Sequence, residues 1–141
     1  MYQSFRHGRA SLASLLIACL GCGGETGPEL SEVSGLVTLD GQPLPKVSLQ
    51  FTPETPGGSP SYGVTDSEGS YELQFSAERS GAMPGKHRVE ILPVEPETDD
   101  SGKPVEGSII VKIPARYSQA GSLTADVQAG SNTIDFALDS K

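Results

Sequence analysis

At 141 residues the chain has the length of one domain, and 35% hydrophobic residues with 17 Gly and 11 Pro suit a turn-rich protein with a thin core. The formal net charge of −8 falls further once Arg6 and Arg9 are removed with the leader expected below, leaving eight basic against eighteen acidic residues. This balance argues against a nucleic-acid partner, because such binding rests on Lys and Arg neutralising phosphates, and against docking on anionic lipid by charge; solubility through mutual repulsion accounts for it.

The first residues read as an export signal. Arg6, His7 and Arg9 form a short basic region, and Ala10 to Ala18 (ASLASLLIA) is apolar and small. That run falls short of the about 20 apolar residues a membrane span needs and matches a signal-peptide core. Leu16-Ile17-Ala18-Cys19 then resembles the bacterial lipobox, whose cysteine is alkylated with diacylglycerol while the chain is cut just before it. Cys22, preceded by Gly21 and followed by Gly23-Gly24, is the alternative lipidation site. A disulfide between Cys19 and Cys22 would close almost no loop and constrain little. A redox pair of this spacing would open a helix in an α/β fold, and no helical pattern follows. Two or three acyl chains hold a protein stably, at about 0.8 kcal/mol per buried CH₂. The expected location is therefore the cell envelope. Leu20 (or Gly23) after the cysteine, where Asp is absent, resembles the outer-membrane sorting class. The organisation expected is a signal peptide over 1–18, a Gly- and Glu-containing tether over 19–31, and one domain over 32–141.

From Glu32 onward the pattern has period two. Val47, Leu49 and Phe51 alternate with polar residues, as do Tyr71, Leu73 and Phe75, then Leu123, Ala125 and Val127, then Ile134, Phe136 and Leu138. Successive side chains in a strand point to opposite faces, so each run buries one side and wets the other. Turn signals separate the runs: Asp40-Gly41, Asp66 to Gly69, Pro84-Gly85 and Gly130-Ser131-Asn132. The expected strands are 33–39, 46–53, 62–65, 70–76, 86–92, 109–113, 122–128 and 132–138. They imply an all-β fold, a single immunoglobulin-like or prealbumin-like Greek-key β-sandwich of about seven or eight strands. The acidic, Pro-rich stretch 93–107 reads as a surface loop and the most mobile part of the domain.

Three segments resemble carboxypeptidase regulatory-like (transthyretin-like) domains over about residues 32–92. Val33 to Val47 (VSGLVTLDGQPLPKV) resembles their opening strand, D-G-x-P-L turn and second strand. Gly63 to Leu73 (GVTDSEGSYEL) is similar to their T-D-x-x-G-x-Y/F-x-L element, and Pro84 to Ile91 (PGKHRVEI) to their P-G-x-Y-x-V strand. Pro45-Lys46 replaces the usual Gly-Ala, and His87 stands where an aromatic residue is usual. The resemblance implies an accessory module that stabilises, spaces or binds. One branch of the wider family hydrolyses 5-hydroxyisourate with several His and Arg residues and a C-terminal Tyr-Arg-Gly-Ser; this chain ends Leu138-Asp139-Ser140-Lys141.

The domain carries little that chemistry could use. His87 is its only histidine, in phase with Val89 and Ile91 and so expected to point inward. There is no G-x-S-x-G elbow, and one His cannot make a zinc site. Gly102-Lys103 lacks the rest of a P-loop. Asp66, Glu68, Asp99 and Asp100 are hard oxygen donors, but turn and loop roles explain them and Ca²⁺ takes six to eight oxygens. The expectation is no catalytic residue, no metal, no cofactor and no enzymatic activity. Tyr62 and Tyr117, in polar surroundings, are candidate ligand contacts for a glycan, with covering the sandwich ends as their structural alternative. The partners expected are the membrane through the N-terminal lipid, and envelope proteins or glycans.

Overall fold

A computed structural model describes residues 27–106 and 111–141. The signal peptide, Cys19, Cys22 and most of the tether lie outside the described residues. The strands are β1 (Glu32–Leu39), β2 (Gln42–Pro43), β3 (Val47–Pro53), β4 (Ser61–Val64), β5 (Ser70–Glu72), β6 (Gly85–Pro93), β7 (Leu123–Val127), β8 (Ser131–Thr133) and β9 (Phe136–Leu138). One 3₁₀ turn, Ala115–Tyr117, precedes β7. The fold is a β-sandwich of a five-stranded and a four-stranded sheet.

In the first sheet β1 is central. Antiparallel β2 and β5 share one of its edges, and β8 and β9 run parallel to it along the other. The second sheet has the order β4-β3-β6-β7, antiparallel throughout. The alternation read from the sequence sets the two faces: Val47, Leu49, Phe51 and Pro53 of β3 are buried while the residues between them are partly open. Between the sheets Phe51 meets three rings, with centroids 6.3 Å from Tyr71, 5.9 Å from His87 and 6.0 Å from Phe136. Val33, Val37, Leu49, Leu73, Val89 and Ile91 fill the space around them and are all inaccessible to solvent.

Register assigns most of the described connections to one of two ends. β1 runs away from Ser31, so the β3–β4, β5–β6 and β7–β8 connections lie at the Ser31 end. The Asp40-Gly41 turn, the Asp66–Gly69 turn and the C-terminal residues lie at the opposite end. Asp40 at φ 50° and Gly41 at φ 80° form the tight hairpin that this dipeptide favours.

Three sequence expectations change. The strand expected over 132–138 is two strands, because Asp135 puts its side chain in the place of a backbone acceptor: Leu36 N–H donates to Asp135 Oδ1 at 2.8 Å. The strand expected over 70–76 changes sheets. Leu73 N–H still donates to Val33 O, whereas Gln74 exchanges both backbone bonds with Tyr62 of β4. Of the strand expected over 109–113, residues 109–110 lie outside the described residues. Val111 to Ile113 form no ladder; Val111 and Ile113 pack half-buried against the core. The strands number nine rather than seven or eight, through that split and the two-residue β2.

Tyr71 ties the aromatic cluster to the split strand by donating from its hydroxyl to Ile134 O at 2.7 Å. Burial pushes its phenol pKa upward, so it remains a donor throughout the neutral range. Tyr71→Phe removes the donor and leaves that carbonyl short of a partner. A loss of about 1–2 kcal/mol is expected in urea unfolding, with an unchanged m-value. A variant as stable as the parent would show that the bond adds nothing.

Candidate functional site

Tyr62 occupies an outward position of β4, where Ser61 and Gly63 face in and Tyr62 and Val64 face out. It is 49% exposed and Val64 is 56% exposed, the two most open large apolar side chains among the described residues. The backbone beneath the ring is held on both sides. Tyr62 pairs with Gln50 of β3, and exchanges bonds of 2.9 and 2.7 Å with Gln74. On the same face the Gln50 amide donates to Thr52 Oγ1 at 3.3 Å. An open aromatic face on a doubly paired strand, beside an amide and a hydroxyl, can stack on a sugar ring and bond its hydroxyls.

Tyr117 is placed differently. It is half-buried, its hydroxyl accepts from Asp139 N–H at 3.0 Å, and the Arg116 guanidinium lies 4.8 Å from its ring centre. Arg116 also donates to Asp139 O. The Asp139 N–H holds the Tyr117 phenol below its usual pKa. Tyr117 therefore fastens the C-terminal residues across the far end of the sandwich. The two tyrosines share no hydrogen-bond or ring partner, so the structure does not assemble them into one site.

His87 points inward, as its phase with Val89 and Ile91 implies, and is 1% exposed. Its Nδ1 lies 3.0 Å from Gly85 O, which makes Nδ1 the protonated nitrogen, and Nε2 is enclosed without a partner. Burial holds its pKa below the usual 6.5, against the opposing pull of Gly85 O, Asp126 and Glu54. A base sealed in this way meets no substrate. It does make stability depend on pH. Above the unfolded value both states are neutral; below it the unfolded chain takes up a proton that the folded chain resists. Stability attributable to His87 is thus complete above the usual 6.5 and lost as pH falls through the lower folded value. His87→Phe is expected to flatten the fall in melting temperature between about pH 7 and 5. Parallel melting curves for parent and variant over that range would refute this.

Two of the four candidate carboxylates, Asp66 and Asp99, are occupied by their own turns. Asp66 Oδ1 accepts from Glu68 and Ser70 N–H at 2.9 and 3.0 Å, and Asp99 Oδ1 from Ser101 and Lys103 N–H at 2.8 and 3.0 Å. Among the described residues no three His, Cys, Asp or Glu side chains gather as metal ligands would. Two surface depressions can be named among the described residues. One of about 370 Å³ is lined by Leu30, Glu78, Arg79 and Ser80, and one of about 250 Å³ by Glu54, Lys86, Thr124, Ala125 and Asp126. Neither includes Tyr62, Tyr117 or His87.

The first depression marks a contact that sequence reasoning missed. Ser31 and Ala82 exchange backbone bonds of 2.8 and 2.9 Å, and Arg79 Nη2 donates to Pro28 O at 2.7 Å. Residues read as tether are therefore already part of the folded body. No periodic signal announces such a contact, because one arginine side chain on a carbonyl and one isolated backbone bridge carry it.

No known family matches the sequence, and no curated protein does. Among solved structures, a DUF3823 family protein from Parabacteroides merdae is similar at a TM-score of 0.42 and 17% identity, over 79% of this chain and 46% of that one. The chain thus spans less than half the length of that protein.

Proposed function

We propose that this is a lipid-anchored protein of the cell envelope whose sandwich is a non-catalytic structural or interaction module of the carboxypeptidase regulatory-like kind. The observation that carries this reading is Leu16-Ile17-Ala18-Cys19, placed at the end of an apolar run and before a Gly-rich stretch that leads into the domain. The regulatory-like assignment is supported by the positions of its motifs: Asp40-Gly41 turns a hairpin, and Asp66 to Gly69 caps the passage from β4 to β5. The non-catalytic assignment is supported by the seal around His87, the sole histidine of the domain.

The intact mass of the membrane-extracted protein tests the anchor. The expected mass is the chain from Cys19, or from Cys22, plus two or three acyl chains. A chain free of lipid mass would refute the anchor and move the protein to the soluble phase of the envelope.

A second reading, a carbohydrate-binding surface module, is favoured by the half-exposed Tyr62 ring alone. A glycan array should then show binding by the parent that Tyr62→Ala loses, with an unchanged melting temperature. An array without any binding would dispose of this reading.

A further inference from the structure

We infer that Gln74, Tyr62, Gln50 and Glu90 form one saccharide-binding row, and that its ligand is an extended, uncharged glycan lying across the strands. This rests on the carbohydrate-binding reading above and gives it contact residues, a ligand class and a direction.

The row follows from register. Tyr62 of β4 pairs with Gln50 of β3, and Gln50 pairs with Glu90 of β6. On its other side Tyr62 is bridged to Gln74. Directly paired residues project from the same face of a sheet. Tyr62 faces outward, so all four side chains stand in one line on the outer face. Neighbouring strands are about 4.8 Å apart, which makes the line about 14 Å long. One strand spacing is close to the length of one ring in an extended sugar chain. A glycan laid along the line therefore meets a new side chain with each successive sugar. The same pairings set Val64, Ser48 and Leu92 in a second line beside the first. Val64, 56% exposed, gives that flank an apolar shoulder.

The chemistry of the line is that of a sugar site. The Tyr62 ring offers an apolar platform to the C–H face of a pyranose. Each flanking amide is already held through one of its two polar atoms, Gln50 by Thr52 Oγ1 at 3.3 Å and Gln74 by Ser80 Oγ at 3.2 Å. The other atom of each amide, and the two acceptor oxygens of Glu90, are directed to ligand hydroxyls. Side chains held in this way lose less freedom when a ligand settles on them. Charge selects among glycans. The one charged member of the line is the Glu90 carboxylate, and the chain carries a formal net charge of −8. Sugar hydroxyls donate to such a carboxylate, whereas a glycan bearing carboxylate or sulfate groups is repelled. Arg88 stands one line over, between Thr52 and Thr124, and not in the row itself.

The test is affinity electrophoresis of the full chain, purified in a detergent without a sugar headgroup. The gels contain a neutral polysaccharide (a β-glucan, a xylan or a galactomannan) or an anionic one (polygalacturonate or chondroitin sulfate). Retardation is expected in at least one neutral gel and in neither anionic gel. Tyr62→Ala should weaken it about tenfold or more. Gln50→Ala and Gln74→Ala should each weaken it about threefold to tenfold, the share of one hydrogen bond. Thr124→Ala, on the same face but outside the row, should leave it unchanged. Oligosaccharides cut from the retarding glycan should compete more strongly up to about four sugars and no further, because the row crosses only three strand gaps. Retardation that Tyr62→Ala removes but Gln50→Ala and Gln74→Ala leave intact would overturn the row while the carbohydrate-binding reading stands. Retardation in the anionic gels alone would overturn the ligand class. An absence of retardation in every gel, with no binding on a glycan array, would overturn the carbohydrate-binding reading and the row with it. Melting temperatures equal to that of the parent establish that each variant is folded.

Discussion

Replacing Gly35 with alanine is expected to lower the melting temperature by roughly 15 °C, an outsized response to one methyl group. Gly35 sits in the middle of β1, opposite Tyr71, where the chain linking β8 to β9 passes over it. A Cβ built there would lie 1.9 Å from Ile134 O and 2.6 Å from Ile134 C. The obstacle is backbone and cannot rotate away. Gly35 is not among the residues with positive φ, so the requirement is for space and not for dihedral freedom. Pushing Ile134 outward strains three bonds at once: Ile134 N–H to Ser34 O, Tyr71 Oη–H to Ile134 O, and Leu36 N–H to Asp135 Oδ1. At about 1 kcal/mol for each bond and a comparable cost for overpacking, the loss is about 4 kcal/mol. That corresponds to about 4 °C per kcal/mol for a domain of this size. Calorimetry of parent and variant decides the matter, and a drop of only a few degrees would show that the crossing is soft.

Phe51→Ala is expected to cost about 3–5 kcal/mol, through lost burial and a cavity that the two sheets cannot close. Phe51 is inaccessible to solvent and is the one ring in contact with Tyr71, His87 and Phe136 together. Its strand is bonded on both sides, to β4 and to β6, so the backbone has no freedom to sink inward. Phe51→Leu, which retains most of the volume, should cost about 1.5 kcal/mol. Urea titration of the three proteins gives both values. If alanine costs no more than leucine, the core is rearranging to fill the space.

Much of this architecture is written locally. The alternation of Val47, Leu49 and Phe51 against polar neighbours determines which face of β3 is buried, because pleat and period coincide. Asp40-Gly41 predicts its turn because few dipeptides adopt that pair of dihedral angles. His87 could be assigned to the interior from its phase with Val89 and Ile91 alone.

Other features depend on partners outside the segment itself, from a dozen to about a hundred residues away. The break between β8 and β9 exists because Asp135 reaches Leu36 N–H, and in the sequence Asp135 is simply the polar member of an alternating run. The change of sheet at Gln74 follows from its pairing with Tyr62, while its own segment continues to alternate. The two candidate tyrosines looked equivalent in sequence, since both stand in polar surroundings. What separates them is Asp139, whose N–H is satisfied by Tyr117 and has no counterpart at Tyr62. Lys46 adopts φ 58°, at the place where the resembling domains have Gly-Ala in place of Pro45-Lys46. Backbone bonds on both sides, Lys46 N–H to Thr65 O and Val94 N–H to Lys46 O, fix a conformation that residue type alone would not suggest.

The parallel pairing of β1 with β8 and β9 has a mechanical consequence. The chain enters β1 at one end of the sandwich and leaves β9 at the other, and these two strands lie side by side. Tension between an N-terminal attachment and a load on the C-terminus therefore acts along the ladder. Its bonds must be broken together in shear, instead of being peeled apart one after another from an end. A domain pulled between those two points resists extension far better than its modest core suggests, and pulling across the strands would open it at much lower force.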